Sequence, residues 1–212
     1  GTAVAMLLAW LNADASDRAA NPVAHWTTFT TLADFSDPGE IGVFLSEGSF
    51  EFLRQRMAKT GYLDGADMAG AFRMLRPNSL IWHYVIHSYL YGEDLSPSDV
   101  LFWNCDSTRM PVAMHEFYLR ELYLNNRLIE PGGLEIGGRR LDLAAIRQPL
   151  YAVGAEQDHI APWKQTFRLC GLTGGPARYV LATSGHILGI INPPVNPPKR
   201  RFWVGDATGA KD

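Results

Sequence analysis

The stretch from Leu150 to Pro194 constrains this chain more than any other. It opens with the apolar run Leu150-Tyr151-Ala152-Val153-Gly154-Ala155, which is closed by Glu156-Gln157-Asp158-His159. A short run of apolar residues ended by loop formers reads as a strand buried on both faces, as strands of parallel sheets are. A second strand is expected over Arg178 to Ala182, followed by Thr183-Ser184-Gly185-His186. Between the two, Pro162 suits the first turn of a helix that continues from Trp163 to Leu169, and Gly171 to Pro176 reads as a loop.

Two successive strands, the first presenting an acid and the second a histidine, supply the last two members of a nucleophile-acid-histidine triad in the chain order of α/β-hydrolases. His186 is the expected general base, with Gly185 before it allowing an unusual backbone turn; the plainer reading is a surface loop histidine. Asp158 would accept a hydrogen bond from the imidazole and fix its tautomer, although an aspartate before Pro162 also suits a helix N-cap. His159, adjacent to Asp158, points elsewhere and reads as structural or substrate-contacting. The nucleophile is missing. Cys105 sits in Trp103-Asn104-Cys105-Asp106 without the flanking glycines of a nucleophile elbow, and Cys170 ends the expected helix before Gly171, so both read as unreactive thiols.

Composition narrows the remaining classes. With 212 residues and 47% apolar content, the chain can bury one sizeable core, as one domain with a large insertion or as two. A net charge of -3 with 19% charged residues gives no electrostatic case for nucleic acid. The longest apolar run, Ala3 to Leu11, is too short to span a bilayer and lacks a basic flank. Two cysteines are no disulfide framework, which favours a reducing, cytoplasmic setting. His83 and His87 are spaced to share a helix face, with Glu93 or Asp94 as a third metal ligand, but no glutamate follows His83 in the H-E-x-x-H manner and they read as core and surface histidines. No glycine-rich phosphate loop follows a strand, so neither a metal nor a nucleotide cofactor is expected.

Taken in order, Ala3 to Leu11 reads as a helix apolar on every side, and Trp26 to Phe35 as a strand. From Ser36 to Gly132 the pattern is helical, with helices expected at Ser49–Lys59, Asp64–Leu75, Ser79–Tyr89 and Val112–Asn125, punctuated by Pro77, Pro97 and Pro111, and no strand. This segment carries Phe44, Phe50, Phe52, Phe72, Trp82, Phe102, Trp103 and Phe117 with Met57, Met68, Met74, Met110 and Met114. Most are expected to form its core, the rest to line a channel for a flexible apolar chain or a dimer contact. A hairpin turning at Gly137-Gly138 is expected within Leu134 to Leu143. The tail from Asn192 through Arg201 is too rich in proline for regular structure. The expected fold class is α/β, with residues 1–36 and 133–212 forming part of an α/β-hydrolase core and 37–132 a helical cap inserted into it.

Several blocks carry a family resemblance. Asp34-Phe35-Ser36-Asp37-Pro38-Gly39-Glu40-Ile41-Gly42-Val43-Phe44, Leu101-Phe102-Trp103-Asn104, Asp158-His159-Ile160-Ala161-Pro162-Trp163 and Ser184-Gly185-His186-Ile187-Leu188-Gly189-Ile190-Ile191-Asn192-Pro193-Pro194 resemble signature segments of polyhydroxyalkanoate synthases, particularly class I. By that resemblance Gly1-Thr2 ends the family's G-x-C-x-G-G-T elbow, the catalytic cysteine lies just ahead of Gly1, and the chain is the C-terminal portion of a synthase. The implied activity is acyl transfer from (R)-3-hydroxyacyl-CoA to a growing polyester chain with release of coenzyme A, the thioester being substrate rather than cofactor. The resemblance also implies a homodimer at the polymer granule surface, a second possible role for Asp158 in activating the incoming hydroxyl, and an inactive fragment when these residues stand alone. A cysteine suits the reaction because thioester exchange with coenzyme A is nearly isoenergetic and keeps the acyl group activated. An esterase or depolymerase with the same acid and histidine, and a non-catalytic granule or dimerisation partner, are the alternatives. The residues upstream of Gly1 discriminate among them.

Overall fold

The computed structural model describes residues 1–14, 16, 20–94, 99–106, 108–192 and 195–210. Pro97, Pro193 and Pro194, and the side chains of Leu101, Asn104 and Cys105, lie outside the described residues. The chain divides into two compact units, Gly1–Gly42 with Arg120–Asp212, and Val43–Leu119.

In the first unit, helix α1 (Thr2–Leu11) is followed by strand β1 (Trp26–Phe29). α1 buries Thr2, Ala5, Leu8 and Ala9 but leaves Val4 and Leu7 exposed. It is thus covered along one flank, where it packs on the turn Leu143–Ala145, rather than on every side. β1 stops at Phe29, short of the strand expected to reach Phe35. Thr30 adopts φ 42°, which breaks the extended run. The next residues stay buried without strand pairing, held by side chains: Thr2 Oγ1 donates to the Leu32 carbonyl at 2.6 Å, and the Phe35 amide donates to Asn126 Oδ1 at 2.8 Å. Apolar character here reports burial of a loop, which sequence alone does not separate from a strand.

The second unit carries helices α2 (Glu47–Met57), α3 (Gly65–Leu75), α4 (Asp99–Cys105) and α5 (Val112–Phe117). Ser46 and Asp64 cap α2 and α3 through their side-chain oxygens, supplying acceptors for first-turn amides that have no partner within the helix. Two-residue strands β2 (Tyr62–Leu63) and β3 (Met110–Pro111) pair antiparallel, where no strand was expected. Asn78–Trp82, Val85–Leu90 and Tyr118–Leu124 wind as wider π-type turns, visible in the bonds Tyr91 N to Ile86 O and Asn125 N to Arg120 O. Over so few residues an apolar stripe does not separate this winding from the α-helices expected there. Phe50 and Met57 are fully buried, but Phe52, Met74, Trp82, Phe102, Trp103 and Met114 are more than half exposed. The expectation that most of these side chains form a core is therefore corrected. Short helices around a two-residue ladder leave too little interior for so many large side chains.

Back in the first unit, β4 (Glu135–Ile136) and β5 (Arg139–Arg140) form the hairpin turning at Gly137 and Gly138, both at positive φ. Strands β6 (Leu150–Ala155) and β7 (Ala177–Ala182) flank helix α6 (Trp163–Leu172), and β8 (Phe202–Asp206) follows the proline-rich tail. The sheet order is β1-β6-β7-β8, with β1, β6 and β7 parallel and β8 antiparallel at the edge. β6 is central and mostly buried. β8 went unread in the sequence because it is short, follows an irregular tail and is exposed along its whole length. α6 covers the sheet: Tyr179 on β7 donates its hydroxyl to the Trp163 carbonyl at 3.0 Å, and its oxygen lies 2.6 Å from Thr166 Oγ1. Among the described residues no helix is long and apolar enough to cross a membrane.

Candidate active site

Asp158 and His186 lie on loops leaving the same end of neighbouring parallel strands, β6 and β7, whose last paired residues are Ala155 and Ala182. Parallel pairing forces both loops to one edge of the sheet. The loops are then tied together, with Glu156 N donating to the Ala182 carbonyl at 2.8 Å and Gln157 N to the Ser184 carbonyl at 2.9 Å.

The Asp158 side chain is fully buried, and each of its oxygens has a fixed partner. Oδ1 accepts from the amides of Ile160 and Ala161, both at 2.9 Å. Oδ2 lies 2.8 Å from Nδ1 of His186, whose side chain is 32% exposed. A buried carboxylate at Nδ1 favours the tautomer protonated there and leaves Nε2 as the nitrogen with a free lone pair. The arrangement can accept a proton at Nε2 and stabilise the resulting imidazolium. Asp158 does not cap α6: the cap position is Pro162, with no side-chain hydrogen bond, and Asp158 instead closes the turn before it.

The turn into His186 is built differently from the sequence expectation. Ser184, not Gly185, adopts the left-handed conformation, with φ 94°. A non-glycine residue there is costly and persists only where surrounding bonds impose it. The Ser184 carbonyl is held by Gln157, and Thr183 before it is bonded to Arg201 in both directions, its amide donating to the Arg201 carbonyl at 2.9 Å and its Oγ1 accepting from the Arg201 amide at 3.0 Å. Gly189, further along, admits no side chain, since a Cβ would lie 2.6 Å from the Cβ of Ala155.

The His159 carbonyl accepts from the Glu40 amide at 3.2 Å. The His159 side chain is half-buried. Cys170 lies inside α6 rather than at its end and is buried, which pushes its thiol up to about 12 and removes it from nucleophilic chemistry at neutral pH. His83 and His87 pack at a tilt with ring centroids 4.3 Å apart, and His87 Nδ1 is bonded to Glu93. Among the described residues no group of three histidine, cysteine or acidic side chains is arranged to hold a metal.

A second buried carboxylate supports this edge of the sheet and was not singled out from the sequence. Asp34 Oδ1 accepts from the Ser36 amide and from Asn126 Nδ2, both at 2.8 Å, while Oδ2 pairs with Arg168 Nη1 of α6 at 2.9 Å. Burial alone would raise this carboxyl. The hydrogen bonds from the Ser36 amide, Asn126, the Ser36 hydroxyl and Arg168 outweigh it and hold the group below the usual carboxylate range. Ser36 is two residues away, but Asn126 and Arg168 come from distant parts of the chain, so no local pattern marks them.

No family model matches the chain. Curated proteins do. A poly(3-hydroxyalkanoate) polymerase subunit PhaC of Rhizobium meliloti is 44% identical over 207 residues, covering 98% of this chain and 33% of that protein. The chain is a relative of the poly(3-hydroxyalkanoate) polymerases. The polymerase of Methylorubrum extorquens is 44% identical over 97% of the chain and 33% of its own length, and the polymerase subunit of Cupriavidus necator 42% identical over 98% and 35%. The match to these polymerases thus takes in both compact units, while the chain spans about a third of the length of each relative.

Proposed function

We propose that this chain contributes the acid and the histidine of an α/β-hydrolase-type acyltransferase that polymerises (R)-3-hydroxyacyl-CoA. The observation that carries the reading is the 2.8 Å contact between buried Asp158 and His186 on loops after adjacent parallel strands. The nucleophile is a cysteine supplied by sequence preceding Gly1. His186 Nε2 takes the thiol proton, the thiolate attacks the thioester carbonyl, and the tetrahedral intermediate expels the coenzyme A thiolate, which receives a proton. The acyl group is then held as an enzyme thioester. In the second half-reaction His186 accepts the proton of an incoming 3-hydroxyl, which attacks that thioester; the new ester bond lengthens the polyester by one unit as the C–S bond breaks, and the expelled cysteine thiolate takes the proton back from the imidazolium. Asp158 holds the imidazole in the required tautomer throughout.

In the same reading the Val43–Leu119 unit is the cap of the hydrolase fold. Its exposed Phe52, Trp82, Tyr89, Phe102 and Trp103 are the surface that meets a second copy or the polymer granule in the cytoplasm. The similarity to polymerases favours transfer to a hydroxyl over hydrolysis.

The test is coenzyme A release from (R)-3-hydroxybutyryl-CoA by the full-length protein, followed with a thiol reagent alongside polymer yield. His186→Ala is expected to lower release by about 100-fold or more, the usual cost of removing a general base. Undiminished release would overturn the assignment of the base, and release of free 3-hydroxybutyrate without polymer would make the protein an esterase.

A further inference from the structure

The block Asp34 to Glu40 has no part in the chemistry proposed above, yet its Gly39 and Glu40 are pressed against the Asp158 loop. Gly39 stands at φ 70°, and a Cβ there would lie 2.7 Å from the carbonyl oxygen of His159 and 3.1 Å from Pro162 Cγ. The next residue, Glu40, donates its amide to that same carbonyl at 3.2 Å. At its other end the block is fixed by Asp34, which is bonded to Arg168 of α6, the helix that follows the acid loop. The loop carrying Asp158 is therefore braced both at the adjoining carbonyl and through the helix it leads into.

We propose that Gly39 is a positioning residue for Asp158: having no side chain, it lets the 34–40 loop close on the His159 carbonyl and so sets the peptide from which Asp158 Oδ2 reaches His186 Nδ1. The inference rests on the reading of Asp158 and His186 as acid and histidine. Two separate demands meet at this position. The left-handed φ disfavours most side chains. The approach to the carbonyl excludes every Cβ, including that of asparagine, which tolerates the conformation.

The spectroscopic signature of the contact is the downfield proton resonance of an imidazole Nδ1–H donated to a carboxylate, read by proton NMR on the full-length protein and assigned by its loss in His186→Gln. Gly39→Ala and Gly39→Asn are both expected to shift or abolish it and to lower the rate of coenzyme A release at least 10-fold, with little change in KM. Gly138→Ala is the control: Gly138 has φ 76° and nothing within 4 Å of the point a Cβ would occupy, so it imposes the same backbone strain without the collision and should leave the resonance in place. If Gly39→Ala fails to fold, Gly39→Asn, which relieves the φ strain and keeps the collision, carries the test. An unshifted resonance in a folded Gly39 variant, an equal loss in Gly138→Ala, or no resonance in the unsubstituted protein would each overturn the proposal. A wild-type resonance with no coenzyme A release would instead count against the proposed function and leave the positioning role standing.

Discussion

The hydroxyl of Tyr179 on β7 passes over Gly154 on β6, leaving no room for a side chain: a Cβ at Gly154 would collide with that hydroxyl and lie 2.6 Å from Thr166 Oγ1. The hydrogen bonds of Tyr179 to Thr166 and Trp163 are what dock α6 on the sheet, so the glycine is a packing requirement of the strand that presents Asp158. Gly154→Ala is expected to destabilise the protein by about 1–3 kcal/mol through overpacking. Tyr179→Phe, which removes the obstructing oxygen, should make the double variant less destabilised than the sum of the two singles. Denaturant unfolding of the four proteins measures the coupling, and strict additivity would contradict the collision.

Asp34 gives an acid-side prediction. Its carboxyl is held below its ordinary value by the bonds that outweigh its burial, so it stays ionised in the folded protein where the unfolded chain would take up a proton. The stability this contributes is present above the unfolded value of about 4 and is lost as pH falls through the folded one. Asp34→Asn is expected to cost about 1–3 kcal/mol near neutral pH, since a charged acceptor for Arg168 is lost. The variant should also unfold with a shallower dependence on pH below about 4. Parallel stability curves for the two proteins over pH 3 to 7 would contradict this account.

How much of this was legible beforehand follows from the range of the interactions involved. β6, β7 and the residues Asp158 and His186 announce themselves locally, because strands covered over most of their length are mostly apolar and the loops at their ends polar, although Tyr151 and Arg178 near the strand starts are exposed. The termination of β1 at Thr30, by contrast, depends on Asn126 and Thr2 capturing the chain that follows, and neither lies near Thr30 in sequence. The Asp34–Arg168 pair is equally long in range. Ser184 misled for another reason: glycine is the residue expected at positive φ, and Gly185 stood beside the position that bears it. Only the bonds from Gln157 and Arg201 reveal which residue is strained. The exposed aromatics of Val43–Leu119 show the reverse failing, since helical spacing marks an apolar face without saying what covers it.

His115 on α5 adds a second loss of stability on acidification, one that begins at a higher pH. It is buried, its Nδ1 has no hydrogen-bond partner among the described residues, and burial pushes the imidazole below its ordinary value against a smaller upward pull from Glu116. The unfolded chain therefore binds a proton that the folded protein excludes, and stability falls as pH drops below about 6.5. His115→Leu is expected to remove that slope between pH 7 and 5 while keeping the fold, because a similar volume is filled without a group to desolvate. Melting temperatures across this range decide it, and an undiminished slope in the variant would assign the effect elsewhere.

The last prediction separates two roles for Asp158. If its work is to orient His186, Asp158→Asn should slow both the acylation that releases coenzyme A and the elongation that follows, since each step uses the same imidazole tautomer. If instead it activates the incoming hydroxyl, acylation should stay fast and elongation alone should stall, so that acyl-enzyme accumulates. The geometry favours orientation: Oδ1 is occupied by the amides of Ile160 and Ala161, Oδ2 faces His186, and the side chain is fully buried, which leaves no exposed oxygen to meet a hydroxyl. Asparagine at this position can present an N–H where the carboxylate presented an acceptor, which would favour the wrong tautomer of His186. A single-turnover experiment with Asp158→Asn should therefore show a burst of coenzyme A slowed by about 100-fold or more. A full-size rapid burst followed by arrested elongation would assign Asp158 to the second half-reaction instead.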